Sequence, residues 1–311
     1  MLSAKQINFS YPNLHVVKNV NFDIAQGENV SIIGESGCGK STLLKLIFGI
    51  YDLDSGELLF NQQRVKGPKS ALLPETKFVK YLAQDFGLMP YITVAENVGK
   101  YLSNQDKTLK SDRIRGLLNL VDMTEYADQK AQFLSGGQQQ RIALAMVLAA
   151  EPKLLLLDEP FSQIDVFRTN SLRRRIFSYL KSKAITCIVA THDRNDALGF
   201  ADRILVMKDG EIVQNDTPTE VFNNPASPYV ASLFGDVNLI RGSYFNRIED
   251  MLLVYPHQLK VAASGLKVKI VANYFQGDGY LVEASYGNQI VYFKSKIKMP
   301  PESMAFLSLQ F

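Results

Sequence analysis

The sequence is poor in cysteine, carries little net charge and contains no long apolar run. Its two cysteines, Cys38 and Cys187, form neither a disulfide framework nor a C-x-x-C metal pair, so we expect a reducing compartment. The formal charge of +3 leaves no electrostatic footprint for DNA or RNA, and we expect no nucleic-acid partner. The longest apolar run, Ile142–Ala150, is far shorter than the roughly 20 residues needed to cross a bilayer.

The first residues, MLSAKQINFS, contain no basic segment that leads into an apolar one. We therefore expect no secretory signal and a cytoplasmic protein. The sequence does contain enough apolar material for a sizeable core. Its 311 residues, 46% of them hydrophobic, predict about two domains.

The order of predicted elements indicates an α/β domain over residues 1–235. Alternating apolar residues predict a small antiparallel layer at the start, after which NVSIIG forms a strand that leads into a glycine loop and a helix. The run LLLLD, Leu154–Asp158, is apolar on both faces, as in the middle of a parallel sheet. Residues 85–135 are predicted to form an inserted, largely helical subdomain.

Residues 236–311 differ in character and predict a small all-β, OB-like barrel. Short apolar runs are separated there by Gly, Asn, Asp and Pro, which is typical of antiparallel strands in a small barrel. The predicted strands are Met251–Val254, Leu266–Ala272, Tyr280–Ala284, Gln289–Phe293 and Met304–Leu309.

The stretch GESGCGKST, Gly34–Thr42, has the phosphate-loop pattern G-x-x-x-x-G-K-S between a predicted strand and a predicted helix. In such a loop the backbone N–H groups and the positive end of the helix converge on phosphate oxygens. Lys40 would add a full positive charge, and the Ser41 hydroxyl would bind Mg²⁺. The predicted nucleotide contacts are Gly34, Glu35, Ser36, Gly37, Cys38, Gly39, Lys40, Ser41 and Thr42.

Two adjacent carboxylates, Asp158 and Glu159, follow the apolar strand in LLLLDEP. Adjacent strand residues point to opposite faces, but at a strand end the chain turns, and both can approach the γ-phosphate region. Asp158 suits Mg²⁺, through a water molecule, and Glu159 suits the orientation of an attacking water. An isolated Asp-Glu pair is more often a solvated strand end, so this assignment depends on the glycine loop.

The stretch LSGGQQQR, Leu134–Arg141, distinguishes among the enzymes that use such a loop. Ser135 and two glycines precede a predicted helix, so a hydroxyl and backbone N–H groups are available there to bind an anion. This is the second predicted phosphate-binding helix start in the chain, after the glycine loop. With this stretch the sequence resembles, over essentially its whole length, the ATP-binding cassette family, the ATPase subunits of ABC transporters. Two cassettes of that family face each other head to tail. The resemblance therefore implies that ATP held by one chain is contacted from the other chain by Ser135, Gly136, Gly137 and Gln138.

The resemblance implies roles for further single residues. Tyr11 would stack on adenine with Val16 beside it. Gln84 would contact Mg²⁺ and the attacking water, next to the groove that the membrane subunit contacts. His192 would contact the γ-phosphate, so that Glu159, His192 and Gln84 form the expected catalytic set.

The stretch FSQID, Phe161–Asp165, corresponds in the family to the loop that contacts the second cassette, with Asp165 at the interface. The family more often has Ala-Leu where this chain has Gln163 and Ile164. Because Cys38 lies at a helix start, where the field favours a thiolate, we also expect its thiol to be reactive and to be shielded by bound Mg-ATP.

The function implied by the resemblance is that of an ATPase that binds ATP and Mg²⁺, forms a homodimer on ATP, and drives an integral-membrane permease from the cytoplasmic face of the membrane. A soluble cassette ATPase acting on DNA or ribosomes is the alternative of a different class. It is disfavoured because the segment between Ser41 and Ser135 carries no heptads and each motif occurs once. A P-loop kinase or a small GTPase is also disfavoured, because the activity of those enzymes does not require an LSGGQ stretch.

The C-terminal region favours import. PASPYVASLFGDVNLI resembles the linker of importer ATPases, and VYPHQLKV resembles the strand-turn where importers have Arg-Pro-Glu, although Tyr255 and His257 replace the charged residues. We expect an importer with a reduced, TOBE-like regulatory barrel and a separate solute-binding protein, and an exporter is the alternative. The cassette does not touch the solute, so its sequence does not encode the solute's identity.

Overall fold

The computed structural model describes residues 1–71, 78–248 and 250–310, and for 166–168 the backbone only. The chain divides into two compact units, Met1–Val221 and Phe222–Phe311. This division lies earlier than the boundary predicted after residue 235. The reason is that the short helix Pro228–Ser232 belongs to the second unit, where the Tyr255 hydroxyl donates a hydrogen bond to the Ala231 carbonyl at 3.2 Å.

The first unit alternates strands and helices along the chain. Its strands are β1 (Leu2–Tyr11), β2 (Leu14–Ile24), β3 (Asn29–Ile33), β4 (Ser55–Phe60), β5 (Gln63–Arg64), β6 (Val79–Leu82), β7 (Leu154–Asp158), β8 (Thr186–Thr191), β9 (Arg203–Lys208) and β10 (Glu211–Asp216). Its helices are α1 (Lys40–Phe48), α2 (Val94–Gly99), α3 (Lys107–Leu120), α4 (Gly136–Ala149), α5 (Val166–Ser182), α6 (Arg194–Phe200) and α7 (Pro218–Asn223), the last of which crosses into the second unit.

Two sheets form the layers of this unit. One is antiparallel in the order β2-β1-β4-β5, as the period-two pattern predicts, and the other has the order β10-β9-β3-β8-β7-β6. In the second sheet β3, β6, β7, β8 and β9 are parallel, and β10 is the antiparallel edge. Every residue of β3, β7 and β8 is buried, in agreement with the apolar runs. Because the carboxyl ends of parallel strands meet at one edge, the residues that follow β3, β7 and β8 come together there.

The predicted helical subdomain is present between β6 and β7. Hydroxyl and carboxylate caps start its helices: Thr93 and Ser135 each form a capping box, and Asp106 accepts a hydrogen bond from the Leu109 N–H. Its core is formed by α2, α3 and α4, with Val98, Leu117, Val121, Met123, Ile142 and Leu144 all buried. None of the helices in the described part of the chain is both long and apolar enough to cross a membrane.

Within its described residues the second unit is all-β apart from the end of α7, one complete α-helix and short 3₁₀ turns. Its elements are α8 (Pro228–Ser232), β11 (Asn238–Arg241), β12 (Met251–Val254), β13 (Leu259–Ala262), β14 (Leu266–Phe275), β15 (Tyr280–Tyr286), β16 (Gln289–Ser295) and β17 (Met304–Leu309). β11 pairs with β12, and the others form an antiparallel sheet in the order β13-β17-β14-β15-β16. The five predicted strands are therefore confirmed, and the sequence missed only β11 and β13. The core includes Val268, Ile270, Val282, Phe293 and Leu307.

The turn VYPHQL in this unit is held by aromatic stacking. The Tyr255 ring lies parallel to that of Phe222, with centroids 4.6 Å apart, and His257 stacks beside both. Burial raises the pKa of Tyr255 to about 12. Burial, and then the nearby Lys294, lower the pKa of His257, which favours the neutral imidazole.

Candidate functional site

The phosphate loop lies between β3 and α1, and its glycines are required by close backbone approaches. A Cβ at Gly34 would overlap the carbonyl oxygen of Met207 in β9. Gly39 has a φ of +109°, and a Cβ there would lie 2.8 Å from the Val16 carbonyl oxygen. Only glycine fits both positions without strain, so the loop is closely fixed against β2 and β9.

Lys40 is held inside this loop. Its ammonium group donates hydrogen bonds to the carbonyl oxygens of Gly34 at 2.7 Å and Glu35 at 2.8 Å. The residue is only 7% exposed although it carries a full charge. The loop therefore places a buried cation beside the N-terminus of α1, an arrangement that favours an anion.

Cys38 differs from the expected reactive thiol. It is buried, and its sulfur lies 3.8 Å from the Lys40 ammonium group. Burial raises the pKa of the Cys38 thiol, and the charge and hydrogen bonds of Lys40 offset that effect only in part. The expectation of an activated thiol is wrong, because desolvation exceeds the electrostatic gain at the helix start.

Ser41 and Asp158 are brought together at the edge of the sheet. The Ser41 hydroxyl donates a hydrogen bond to Asp158 Oδ1 at 2.9 Å, and the Tyr81 hydroxyl donates one to Oδ2 at 3.2 Å. Burial raises the pKa of Asp158, and these two hydrogen bonds offset the effect in part. The two hydrogen bonds thus fix the orientation of this carboxylate.

The oxygens of Ser41 and Asp158 fit a magnesium ion. A hydroxyl and a carboxylate are hard donors of the kind that Mg²⁺ prefers, and Mg²⁺ commonly takes its remaining oxygens from phosphate and water. The described residues contain no cluster of three or more His, Cys, Asp or Glu side chains that could hold a metal alone, so phosphate oxygens would have to complete the site. Gln84 follows β6 with an exposed side chain, and no hydrogen bond joins it to Ser41 or Asp158.

Glu159 and His192 form a pair at the ends of β7 and β8. His192 Nδ1 lies 3.0 Å from Glu159 Oε1, and the histidine side chain is 62% exposed. Glu159 adopts a left-handed conformation with a φ of +50°. Its N–H donates to the Ala190 carbonyl at 2.9 Å, which turns the chain and brings Glu159 to the same edge as Asp158.

A buried ion-pair network supports the His192 turn. Arg173, on α5, contacts Asp193 Oδ2 and Asp196 Oδ1, each at 2.5 Å. Burial raises the pKa of Asp196 to about 6, opposed by Arg173 and by the Thr191 hydroxyl. For Asp193, hydrogen bonds from Asn195 and Arg173 outweigh burial and lower the pKa.

The second predicted phosphate-recognising helix start is formed by Ser135 and the glycines after it. The Ser135 hydroxyl accepts a hydrogen bond from the Gln138 N–H at 3.3 Å, and the Gln138 side chain accepts one from the Ser135 N–H at 2.8 Å. A Cβ at Gly137 would lie 2.6 Å from the Gln163 carbonyl oxygen, and one at Gly136 would overlap the Gln163 side chain. The Phe161–Asp165 loop thus packs on the Leu134–Arg141 stretch of its own chain, which we call the signature.

Asp165 occupies the N-cap position of α5 without a side-chain capping bond, and its carbonyl oxygen accepts a hydrogen bond from the Thr169 hydroxyl at 2.7 Å. The exposed side chain of Asp165 is thereby left at the edge of this loop.

Tyr11 lies beside the helix that follows the phosphate loop. Its hydroxyl is 3.4 Å from Thr42 Oγ1, and its ring packs edge-on against Phe9 and Tyr51. The Val16 carbonyl oxygen contacts the Gly39 position. The structure therefore brings both residues of the expected adenine contact to the loop.

Three residues with evident roles were missed in the sequence. Gln140 donates to the Glu159 carbonyl, Tyr81 donates to Asp158, and Arg173 supports the His192 turn. Gln140 and Arg173 are polar residues on helix faces that otherwise pack in the core, and Tyr81 is a hydroxyl in an apolar strand. A polar side chain within an otherwise apolar pattern was therefore the sequence feature that could have indicated these three residues.

Comparison with known proteins agrees with this geometry. The family described as ABC transporter matches residues 17–162. The putrescine transport ATP-binding protein PotG of Escherichia coli is 36% identical over 270 residues, which cover 85% of this chain and 70% of PotG. The sulfate/thiosulfate import ATP-binding protein CysA of Bacillus cereus is 33% identical, over 87% of this chain and 82% of that protein. The chain belongs to the ATP-binding subunits of ABC transporters.

Solved structures of ABC cassettes support the same assignment. A dimeric ATP-binding cassette bound to ADP and Pi in a post-hydrolysis state superposes with a TM-score of 0.62 and 30% identity, over 70% of this chain and 99% of that one. The cbiO1 subunit of an ABC transporter complex from Clostridium perfringens superposes with a TM-score of 0.63 and 28% identity, over 72% of this chain and 91% of that one. The chain is an ATPase that binds ATP.

Proposed function

We propose that this cassette subunit hydrolyses ATP in a head-to-tail homodimer and drives solute import through a membrane permease. The observation that carries the proposal is the presence of two glycine-containing helix starts, at α1 and α4, together with the Glu159–His192 pair. One nucleotide site needs only one such helix start. The second start is therefore assigned to the nucleotide of a partner chain.

Different residues of the first unit would bind the phosphates, the adenine and Mg²⁺. The loop Gly34–Thr42 and Lys40 would hold the β- and γ-phosphates, and Tyr11 with Val16 would flank the adenine. Ser41, Asp158 through water, and Gln84 would hold Mg²⁺, which neutralises charge on the transferring phosphoryl group.

Hydrolysis itself needs a water molecule that is held in line with the γ-phosphate. Glu159 would accept a hydrogen bond from this water and orient it, since its carboxylate is half-buried at the edge where the phosphate loop ends. His192 Nδ1 contacts Glu159, so the imidazole ring lies beside the water-orienting carboxylate, where it would contact the γ-phosphate. From the partner chain, Ser135, Gly136, Gly137 and Gln138 would complete the donors.

A cleft in the first unit suits a helix from the permease. It has a volume of about 230 Å³ and lies between the turn after β6 and helix α4. Apolar side chains, including Phe86 and Met146, line it together with Lys80 and Asp85. An amphipathic segment of a membrane subunit would fill such a groove and hold the cassette at the cytoplasmic face of the membrane.

The direction of transport is inferred from the relatives, several of which are import subunits by name. Their printed solutes are a polyamine, an oxyanion and Fe³⁺, although the cassettes are alike. We therefore assign solute choice to the permease and to a separate solute-binding protein. The second unit is proposed to be a TOBE-like regulatory domain.

Complementation between two inactive variants tests the shared site. Lys40→Ala removes the loop cation, and Ser135→Ala removes the donor that reaches the partner's nucleotide, so each homodimer is expected to have no intact site. A mixed dimer has one intact site, formed by Lys40 of one chain and Ser135 of the other. Mixing the purified variants should restore Mg²⁺-dependent phosphate release. A mixture that stays as inactive as its components contradicts the head-to-tail arrangement.

A further inference from the structure

Gln140 joins two parts of the site that lie on different elements. It is 2% exposed on α4, five residues after Ser135. Its Nε2 donates a hydrogen bond to the Glu159 carbonyl oxygen at 2.9 Å, and its Oε1 accepts one from the Gln163 N–H at 3.0 Å. A carbonyl only accepts and an N–H only donates, so these two partners fix which way the amide points.

The backbone that Gln140 holds is that of the proposed water-orienting residue. Glu159 has a φ of +50°, a conformation that a residue with a side chain adopts only when the surroundings impose it. Both of its backbone groups are bonded: the N–H to Ala190, and the carbonyl to Gln140 and to the Ser162 hydroxyl at 3.0 Å. Of these, Gln140 is the only bond from the signature helix among the described residues.

The same amide also holds the loop that packs on the signature glycines. Gln163 donates its N–H to Gln140, and its carbonyl oxygen lies where a Cβ at Gly137 would come within 2.6 Å. A displacement of the N-terminus of α4 is therefore transmitted to Gln163 by contact and to Glu159 by hydrogen bonding. This linkage is contiguous, and the Gln140 side chain at its centre is buried.

We propose that Gln140 is a positioning residue that couples the signature of each chain to Glu159 of the same chain. When Ser135 and the glycines close on the partner's ATP, the Gln140 amide sets the Glu159 peptide, and with it the carboxylate that orients water on the chain's own ATP. The two nucleotide sites of the dimer are thereby made dependent on each other. The inference rests on the proposed role of Glu159.

The test is Gln140→Met in the full-length chain, a change that keeps side-chain length but removes all three hydrogen bonds of the amide, to Glu159, Gln163 and the Ser162 hydroxyl. Loss of a buried hydrogen bond to the Glu159 peptide should lower kcat by about tenfold, the change that one such bond carries. KM for ATP and the affinity for ATP measured without turnover should stay unchanged, because the phosphate loop is untouched. A merely structural role would lower the unfolding temperature and move kcat and KM together, or neither.

The matched control is Gln139→Met. The neighbouring Gln139 also donates to backbone carbonyls, of Ala131 and Leu134, each at 3.3 Å, but it makes no bond to Glu159. It should lose comparable thermal stability and keep its kcat. If Gln140→Met does not fold, Gln140→Asn, which keeps the amide but shortens its reach, takes its place. Equal kcat for the Gln139 and Gln140 variants overturns the proposal.

A double-mutant cycle separates this inference from the function on which it rests. In a Glu159→Gln background, Gln140→Met should lower single-turnover phosphate release little further, because both changes act through the same side chain. A further loss as large as in the wild-type background means that Gln140 acts independently of Glu159, and the proposal fails. If Glu159→Gln alone keeps normal turnover, the proposed function fails instead.

Discussion

The Tyr81 hydroxyl lies 3.2 Å from Oδ2 of Asp158, and the Ser41 hydroxyl lies 2.9 Å from Oδ1 of the same carboxylate. Both oxygens of a nearly fully buried acid are thus held by hydroxyl donors. Burial, together with the charge of Asp158, raises the pKa of Tyr81, so the phenol keeps its proton and remains a donor. This relationship predicts that Tyr81 orients the carboxylate expected to face Mg²⁺.

Tyr81→Phe should therefore raise the Mg²⁺ concentration needed for half-maximal ATP hydrolysis by several-fold. Removing one donor leaves a buried carboxylate oxygen unpaired, which costs about 1–3 kcal/mol, and the carboxylate loses its fixed orientation. The measurement is a Mg²⁺ titration of phosphate release, together with Mn²⁺ binding followed by electron paramagnetic resonance.

Tyr101→Phe is the control for Tyr81→Phe. Both tyrosines line the cleft between the turn after β6 and helix α4, but Tyr101 is exposed and contacts lysines instead of Asp158. Its Mg²⁺ titration should match that of the wild-type protein. Equal shifts in the two variants would show that the cleft, and not the hydrogen bond, determines Mg²⁺ use.

Glu159→Gln should retain ATP binding while slowing hydrolysis by about 10²- to 10⁴-fold, the typical contribution of a general base. The amide cannot accept the proton of the attacking water, but both phosphate-recognising helix starts remain. The variant should accordingly accumulate as an ATP-dependent dimer in light scattering. Near-normal turnover without such a dimer would exclude Glu159 as the base.

The parts of the site that could be predicted are those whose residues lie close together in the sequence. Strand β3, the glycine loop and α1 are contiguous in sequence, and the two acids lie together at the end of β7. Their placement at one sheet edge therefore followed from the parallel topology. The contacts of Gln140, Tyr81 and Arg173 join elements far apart in the chain, and no local pattern specifies which polar side chain meets which backbone. The predicted boundary after residue 235 differs from the division between the compact units for the same reason, since that division depends on what residues 228–234 pack against.

Cys38 should be alkylated more slowly than a free thiol at pH 8. Its pKa is raised by burial, so a smaller fraction is thiolate at that pH, and the rate should keep rising above pH 9, where an ordinary thiol approaches full ionisation. Iodoacetamide kinetics followed by mass spectrometry in a Cys187→Ser background measure this. A rate that is already constant between pH 7 and 8 would contradict the raised pKa.

Arg173→Met should destabilise the protein by about 3–5 kcal/mol, because it leaves two carboxylates, Asp193 and Asp196, without their buried cation. The native pKa of Asp196 is raised to about 6, above its unfolded value, so its contribution to stability falls as the pH rises through 6. Without Arg173 the pKa of Asp196 rises further, so the free energy of unfolding of the variant continues to fall at higher pH. The stability gap from wild type should therefore widen between pH 6 and 8 in urea unfolding.

The surface pair of Arg175 and Asp122 supplies the control for this network. Their side chains are 35% and 54% exposed, so Arg175→Met should cost less than about 1 kcal/mol. Its stability gap should show no comparable widening between pH 6 and 8. Equal costs for the two arginine variants would mean that burial of the Arg173 network contributes nothing.

A fragment of residues 1–223, ending at the last residue of α7, should fold and bind ATP with the affinity of the full chain. Every proposed nucleotide contact lies between Tyr11 and His192, and the first unit has its own core. A longer fragment of residues 1–236 should be more prone to aggregate. It keeps Val230 and Phe234, which are buried in the full chain, but lacks the strands of the second unit. Calorimetry with ATP and gel filtration compare the two. A folded 1–223 fragment that does not bind ATP would show that the second unit completes the nucleotide site, and the division of labour between the units would then be wrong.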